Sequence, residues 1–575
     1  MLKKVYQQYL KSNLLLIKII FLGSLSWIFV MVKSGYFYNG VDLGFWGANG
    51  HDGIWHLALA KSLARGSLDM PTFAGEKLKN YHIGFDLLLV LIHKLTLISI
   101  ETLYFQILPI AFSVLIGIVT YKFVLNWKKS KEAGVWATFF IYFGGSFGWL
   151  VNLIRNGTID GESMFWSQQS ISTLINPPFA LSLIFLFLGL NLLVKLNSNE
   201  IKNRKLLIFI CVLIFGSLIE IKAYAGLLAL GGLLVSGIFE FIKTKRIERL
   251  IIFIGSIVFS IILFLPLNKS SQGLLFFSPF WFLETLLGLS DRFYWPKLYE
   301  ALMNYKLGSV WVKLIPAYVV AFTLFLIGNF GTRIIFIKDL IGKAKKFNFD
   351  SIDIFVYSMI AAGIVIPMLF LQSGTPWNTI QFFYYSLILL GILSGIVMVK
   401  MSKLLIVVII LVTVPTTIAT LSYDYLPFRP PAKISGTELT ALQFLSKQEN
   451  GVVLTYPFDA AKSQEAINNP PRPLYLYEST AYVSAYSNKP VYLEDQVNLD
   501  ITGYNWRERR EKEDWFIKTT DQKDAENFLK ENNIKYIYLA KSLSPLPGEN
   551  LKLGTKQLNA TNIFENSEIV ILKMN

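Results

Sequence analysis

The sequence predicts a polytopic α-helical membrane protein of about eleven transmembrane helices, carrying a small extracytoplasmic α/β domain at its C-terminal end. Three observations predict it. Of 575 residues, 53% are hydrophobic and only 16% are charged, a balance outside that of soluble domains. Apolar runs of about 17 to 22 residues recur as far as Leu421, each long enough at about 1.5 Å per residue to cross roughly 30 Å of hydrocarbon. Beyond Leu421 a stretch with Pro427, Pro430 and Pro431 leads into polar sequence. Soluble single-domain, disordered, collagen-like and disulfide-stapled classes are excluded on these grounds.

The basic start, Met1 to Lys11, runs into Leu14 to Val32. That run is too long for a signal-peptide core and lacks a small-residue cleavage site, so it reads as an uncleaved first span. The next expected spans are Leu103 to Val124, Gly134 to Leu153, Pro177 to Val194, Leu206 to Ile219 and Ala225 to Phe241. Leu250 to Leu267, Leu314 to Phe330, Ile354 to Leu371, Ile380 to Val399 and Leu404 to Leu421 complete the set.

Topology turns on Ile83 to Ile98, an apolar run of about 16 residues that contains Asp86, His93 and Lys94. Counting it as a span reverses everything downstream. Leaving it out places the short basic connections on one side: Lys128, Lys129 and Lys131; Lys202, Arg204 and Lys205; Lys243, Lys245, Arg246 and Arg249; Arg333, Lys338, Lys343, Lys345 and Lys346; Lys400 and Lys403. The positive-inside rule then holds throughout, and Ile83 to Ile98 reads as an interfacial or re-entrant helix. The N-terminus is expected in the cytoplasm of a plasma-membrane protein. Three large outer loops (33–100, 154–176 and 268–311) and the C-terminal domain are expected outside.

The organisation expected is a membrane domain over residues 1–421, a Pro-rich linker over 422–433 and an α/β domain over 434–575. Within the last, helices are expected at Gly436 to Lys447 and Lys523 to Glu531. Strands are expected at Gly451 to Tyr456, Pro490 to Leu493, Ile534 to Leu539 and Glu568 to Lys573.

The net charge of +15 raises nucleic acid as a partner. Residues 1–433 hold 38 Lys and Arg against 20 Asp and Glu, and residues 434–575 hold 16 against 19. The excess therefore belongs to the membrane part, where it records topology and contact with anionic lipids, and no nucleic-acid partner is expected. The single cysteine, Cys211, lies in an apolar run and permits no intramolecular disulfide.

All four histidines, His51, His56, His82 and His93, lie in the first outer loop. Gly50-His51-Asp52-Gly53-Ile54-Trp55-His56, continuing to Gly66, reads as a short amphipathic helix at the membrane surface. Asp52 is either the N-cap of that helix or a general base that takes a proton from a hydroxyl nucleophile, and the two roles are compatible. His51, Asp52 and His56 are also candidate ligands for a divalent cation, although their spacing is no specific zinc signature. His82 is a candidate for sugar binding.

In the second outer loop Asp160 and Glu162 are either solvated loop residues or a pair that holds a cation or orients an acceptor. Glu220 and Lys222 interrupt an apolar stretch at the outer surface. They form an ion pair, or Lys222 neutralises a lipid phosphate. Arg292, among aromatic residues, is a second phosphate candidate. Trp377, Asn378 and Gln381 open a span at its outer end, as an interfacial cap or as donor-sugar ligands.

These residues, in this order, resemble the GT-C superfamily of polyprenyl-phosphate-sugar glycosyltransferases. The stretches His51 to Gly66 (HDGIWHLALAKSLARG), Phe73 to Leu89 (FAGEKLKNYHIGFDLLL) and Pro376 to Tyr385 (PWNTIQFFYY) resemble a bacterial branch of it. The likeness covers nearly the whole chain. It implies inverting transfer of a sugar from a lipid phosphate to a hydroxyl acceptor outside the cytoplasm. It also implies an early aspartate as base, where Asp52 matches best and Asp42 is the nearest competitor. The second acidic motif corresponds to Asp160 and Glu162, spaced by a glycine where the family has them adjacent.

Two other classes compete. A transporter or lipid flippase predicts ionisable groups facing the bundle near mid-membrane, and here the expected spans keep them near their ends. A non-catalytic relative would bind cell-envelope polymer through its C-terminal domain.

Overall fold

The computed structural model describes residues 2–197, 202–268, 275–519, 521–543 and 560–575. Parts of the third outer loop (269–274) and of the C-terminal domain (520, 544–559) lie outside the described residues.

The protein is a multi-pass helical membrane protein. Helix α1 (Leu2–Met31) is 30 residues long and supplies the first of the eight helices among the described residues that are apolar and long enough to cross a bilayer. The others are Ile100–Lys128, Pro177–Leu196, Ala223–Thr244, Trp311–Lys346, Ser351–Leu369, Pro376–Met398 and Lys403–Tyr425. A ninth forms if Lys131–Phe143 and Gly148–Asn156, bent by 46°, are one span. The bend has a packing cause. A Cβ on Gly144 would meet the Phe140 carbonyl at 2.6 Å, and one on Gly145 would collide with Thr416 of the last spanning helix. The remaining expected spans are the helices Arg204–Ile221 and Glu248–Phe264, of 18 and 17 residues. At about 1.5 Å per residue both fall just short of roughly 30 Å.

Helices α2 (Asp52–Ala64) and α3 (Gly84–Thr96) lie between the first two spans. At 13 residues, α3 reaches only about 20 Å and cannot cross. It ends where Leu97 turns left-handed at φ +61°. Helix α2 corrects the amphipathic reading. From Gly53 to Ala60 every residue is buried, so it is a core helix with no solvent face.

Four strands weld the first outer loop to the Pro-rich stretch. Strand β1 (Tyr36–Tyr38) pairs antiparallel with β2 (Asp42–Phe45). Strands β3 (Leu275–Phe277) and β4 (Phe370–Gln372) form a separate antiparallel pair. Strand β5 (Ala432–Ile434) joins β2 antiparallel, with Leu43 opposite Ile434, and β6 is Val452–Leu454. Strand β7 (Arg472–Pro473) runs parallel to β5. Of the stretch expected as a linker, the first residues continue the last spanning helix to Tyr425, and only Ala432 and Lys433 enter the sheet. Prolines leave carbonyls without ladder partners, and Lys33 Nζ takes Tyr425 O at 2.8 Å and Pro427 O at 2.9 Å, while Trp46 Nε1 also takes Pro427 O.

Residues after Ser435 form a mixed sheet flanked by helices, in the order β6-β8-β10-β9, with β8 (Ile534–Ala540), β9 (Ala560–Glu565) and β10 (Ile569–Met574). Helices Gly436–Ser446 and Gln522–Glu531 lie close to their expected limits. Pro490 to Leu493, expected as a strand, keeps only a parallel bridge from Val491 to Val453 of β6, with Val453 N donating to Pro490 O at 3.0 Å and Tyr492 N to Val453 O at 2.8 Å. Its other edge meets the first outer loop: Val491 N donates to Pro71 O, and Ala74 N donates to Val491 O, each at 2.9 Å.

Candidate active site between two cavities

Two cavities, of about 350 and 480 Å³, meet beside the start of α2. Asp52, Asn176, Asn378 and Gln381 line both, so these four side chains form the wall they share.

The helix sets Asp52 there. His51 occupies the N-cap position and makes no side-chain cap, and Asp52 is the first helical residue. The capping reading of Asp52 is therefore corrected. Its carboxylate faces His51 Nδ1 at 3.0 Å and is half exposed to the cavities. Burial favours the neutral acid, but His51, His56 and Lys222 outweigh it and hold Asp52 below the usual carboxylate range. Burial also opposes the His51 imidazolium, and the Asp52 carboxylate wins and raises its titration. The His51 ring stacks on Tyr477 of the C-terminal domain, centroids 6.5 Å apart.

The larger cavity is apolar on one side, with Leu227, Phe264 and Phe382, and basic on the other, with Lys222, His56 and His82. Lys222 sits at a one-residue break between helices Arg204–Ile221 and Ala223–Thr244, in extended geometry. The expected ion pair with Glu220 does not form. Glu220 accepts from Ile83 N at 2.9 Å, while the Lys222 ammonium lies 5.4 Å from the Tyr224 ring. Burial pushes Lys222 down to about 8, against the pull of Asp52. His82 stacks on Tyr81 and keeps a buried Nδ1 without a hydrogen-bond partner. Burial, reinforced by Lys222 and His56, drives its titration well below the usual range.

The smaller cavity is polar. Beside His51 and Asp52 it presents Gln168, Gln169, Ser172, Thr173 and Tyr384. Trp377 lines this cavity alone, and Asn378 and Gln381 line both. Asn378 lies inside a 3₁₀ turn, Pro376–Ile380, and caps nothing; its amide bonds Gln372 Oε1 at 3.1 Å and Gln381 donates to it.

Other expected residues lie elsewhere. Glu162 accepts from Gln169 N at 2.7 Å, Ser172 Oγ at 2.9 Å and Thr420 Oγ1 at 3.4 Å, and burial pushes it up to about 7. It lines a third cavity of about 430 Å³, which shares Gln168 and Ser172 with the polar one. Asp160 accepts from Gly161 N. Arg292 lies 4.1 Å over the Trp166 ring and 3.4 Å from Asp291, and lines neither central cavity. Asp42 belongs to β2 and likewise lines neither.

Among the described residues no three His, Cys, Asp or Glu side chains converge as a metal-ligand group. His51 is bonded to Asp52, His56 to Asp86, and Glu162 to three protein donors. The expected donor set does not fit one shared cation.

Sequence reasoning missed Asn176, Gln168, Gln169 and Tyr384, whose only signal is their place at span mouths. It also misplaced Arg333. Counted among exposed cytoplasmic charges, Arg333 is 1% exposed and lines the polar cavity. Its guanidinium donates to the backbone carbonyls of Gly145, Asn329 and Phe330, at helix ends, and to the Gln169 side-chain oxygen.

No protein-family model matches the chain, and no curated protein matches it. Solved structures do. The oligosaccharyltransferase of Archaeoglobus fulgidus, in complex with Zn and sulfate, aligns over 91% of this chain and 68% of its own at 12% identity, with a TM-score of 0.50. The same archaeal enzyme, AglB, in complex with an inhibitory peptide and a dolichol-phosphate, gives 91%, 69%, 12% and 0.50. The fold resembles that of the GT-C superfamily. ArnT from Cupriavidus metallidurans bound to undecaprenyl phosphate covers 97% of both chains at 11% identity and a TM-score of 0.38.

Proposed function

We propose that the chain is an inverting membrane glycosyltransferase. It moves a sugar from a polyprenyl-phosphate-linked donor to a hydroxyl acceptor outside the cytoplasm, with Asp52 as general base. The observation that carries this reading is the wall shared by the two cavities. A base for direct displacement must touch the acceptor hydroxyl while the anomeric carbon lies within reach on the other side. Asp52 borders both spaces.

The larger cavity suits the donor, since its apolar side matches an isoprenoid chain and Lys222 matches a phosphate. The polar cavity suits the acceptor, and through Gln168 and Ser172 it continues into the third cavity. In the reaction the acceptor oxygen bonds to the anomeric carbon as the carbon–oxygen bond to the lipid phosphate breaks. The hydroxyl proton goes to Asp52. The electron pair leaves on the phosphate, toward Lys222. That the archaeal relative binds a dolichol-phosphate supports a lipid carrier here.

The orientation proposed is a cytoplasmic N-terminus and an outer C-terminal domain, which brings the site to the outer surface. Arg333, one of the buried charges a transporter could use, is instead tied to four oxygens. The deciding experiment is mass spectrometry of lipids that co-purify with the protein. A polyprenyl phosphate bearing a sugar supports the reading, as does release of the free polyprenyl phosphate on adding acceptor glycans. A lipid that is carried across vesicles without loss of its sugar supports a flippase and ends the transferase reading.

A further inference from the structure

His56 lies one helical turn after Asp52 on the same face of α2 and lines the larger cavity. Its Nδ1 is 2.8 Å from Asp86 Oδ1, in the first turn of α3, and the two side chains are 5% and 0% exposed. The ring is clamped. Tyr104 stacks on it at 5.7 Å and Phe85 meets it edge-on at 5.5 Å. With Nδ1 turned to Asp86, the opposite edge, Nε2, is the one left to the cavity. The other carboxylate oxygen of Asp86 is buried without a hydrogen-bond partner. Burial raises the titration of Asp86 and the His56 contact opposes that rise, so the pair shares one proton between its facing oxygen and nitrogen. The mechanism above does not use this pair.

We infer that Asp86 and His56 form a second, protonation-dependent donor to the lipid phosphate. The His56 imidazolium donates Nε2–H to a phosphate oxygen opposite Lys222, and Asp86 acts as the positioning residue that accepts Nδ1–H. The inference rests on the polyprenyl-phosphate reading. Charge-assisted bonds of this kind strengthen as negative charge moves onto the leaving phosphate. The groups around His56 are Asp52 on its own helix, Asp86 on α3, Tyr104 from the following turn, Tyr81 and His82 from the loop between, and Lys222 across the cavity.

The test is calorimetric titration of the full-length protein, in phosphatidylcholine nanodiscs, with farnesyl methyl phosphate, a diester that stays monoanionic throughout, and with farnesol from pH 5.5 to 7.5. Wild type should bind the diester more weakly as pH rises, with farnesol flat. His56→Gln, whose amide reaches the Nε2 position without a charge, should lose the pH dependence and bind the diester about 10- to 100-fold more weakly at pH 5.5. Asp86→Asn should move the transition to lower pH, because the neutral amide no longer favours the imidazolium. A His56→Gln protein with wild-type affinity and slope overturns the inference and returns the pair to core packing, as does failure of both variants to fold. If wild type itself prefers farnesol or shows no preference, the lipid-phosphate reading falls first and the inference with it.

Discussion

Asp52 and Lys222 face one cavity from two different parts of the chain, and each shifts the titration of the other. Against burial, the carboxylate is held below its usual range by His51 first and by His56 and Lys222 after it, and the ammonium is pushed down to about 8 by burial while Asp52 resists. A charged base and a charged phosphate ligand thus coexist at neutral pH on either side of the space assigned to the reacting carbon.

His51→Ala removes the 3.0 Å hydrogen bond that does most to keep Asp52 ionised. A base acts above its own titration point, so wild type should keep its activity down to acid pH. In the variant the Asp52 titration rises, and the acid limb of kcat/KM should move to higher pH. The measurement is the pH profile of sugar transfer. An acid limb that stays in place would separate His51 from Asp52 chemistry.

Lys222 is expected to supply an alkaline limb. An ammonium lowered to about 8 is charged below that pH and neutral above it, so kcat/KM should fall as pH rises past about 8. Lys222→Gln should abolish this limb and raise the apparent KM for lipid-linked donor, with a loss on the order of 1.5 to 3 kcal/mol for a charged phosphate interaction. An unchanged KM would take Lys222 out of the donor site.

The helices were legible because span length and apolar composition are local properties, and α3 was legible as a short helix because its apolar run of about 16 residues, with Asp86, His93 and Lys94 inside it, is too short and too charged for a span. The environment of α2 was not legible. Its sequence does not say that the C-terminal domain covers it, a long-range fact carried by bonds such as Lys61 Nζ to Ala485 O at 2.8 Å. Asp52 was found from its place in the chain and the GT-C likeness, but its function as a shared wall depends on Asn176, Asn378 and Gln381 arriving from other segments. Arg333 was misplaced for the same reason, since the helix ends that offer it carbonyls leave no charge signal in the sequence.

Glu162 is expected to matter for stability more than for transfer. Its titration is raised by burial to about 7, so the folded state holds its proton more tightly than the unfolded chain. Above the unfolded value of about 4.5 the folded carboxyl costs stability progressively, up to about pH 7. The melting temperature of wild type relative to Glu162→Gln should therefore decline from pH 5 to pH 8, with sugar transfer retained in both. Loss of transfer in Glu162→Gln, rescued by divalent cation, would instead assign it a ligand role.

Topology predicts a labelling pattern. Cysteines placed at Lys129 and Lys345 should resist an impermeant thiol reagent in intact cells, and one at Thr561 in β9 should react. The native Cys211 is buried and gives little background. Reaction at Lys129 would mean that α3 and its surroundings invert the downstream order, and the outer placement of the site would not hold.

The most direct prediction concerns Asp52 itself. Asparagine keeps its size, and because Asp52 makes no helix cap, the substitution removes no backbone bond. The ion pair with His51 is half exposed on the Asp52 side and contributes little to folding. Asp52→Asn should therefore fold and bind lipid-linked donor as wild type does, while turnover falls by at least about 10², the usual contribution of a positioned base. The control is Asp42→Asn, which alters a residue in β2 that lines neither central cavity. It should leave turnover near wild type. Full transfer by Asp52→Asn together with loss in Asp42→Asn would mean that the wrong carboxylate has been assigned. Full transfer by both would remove a carboxylate base from the mechanism, because no other Asp or Glu lines both central cavities among the described residues.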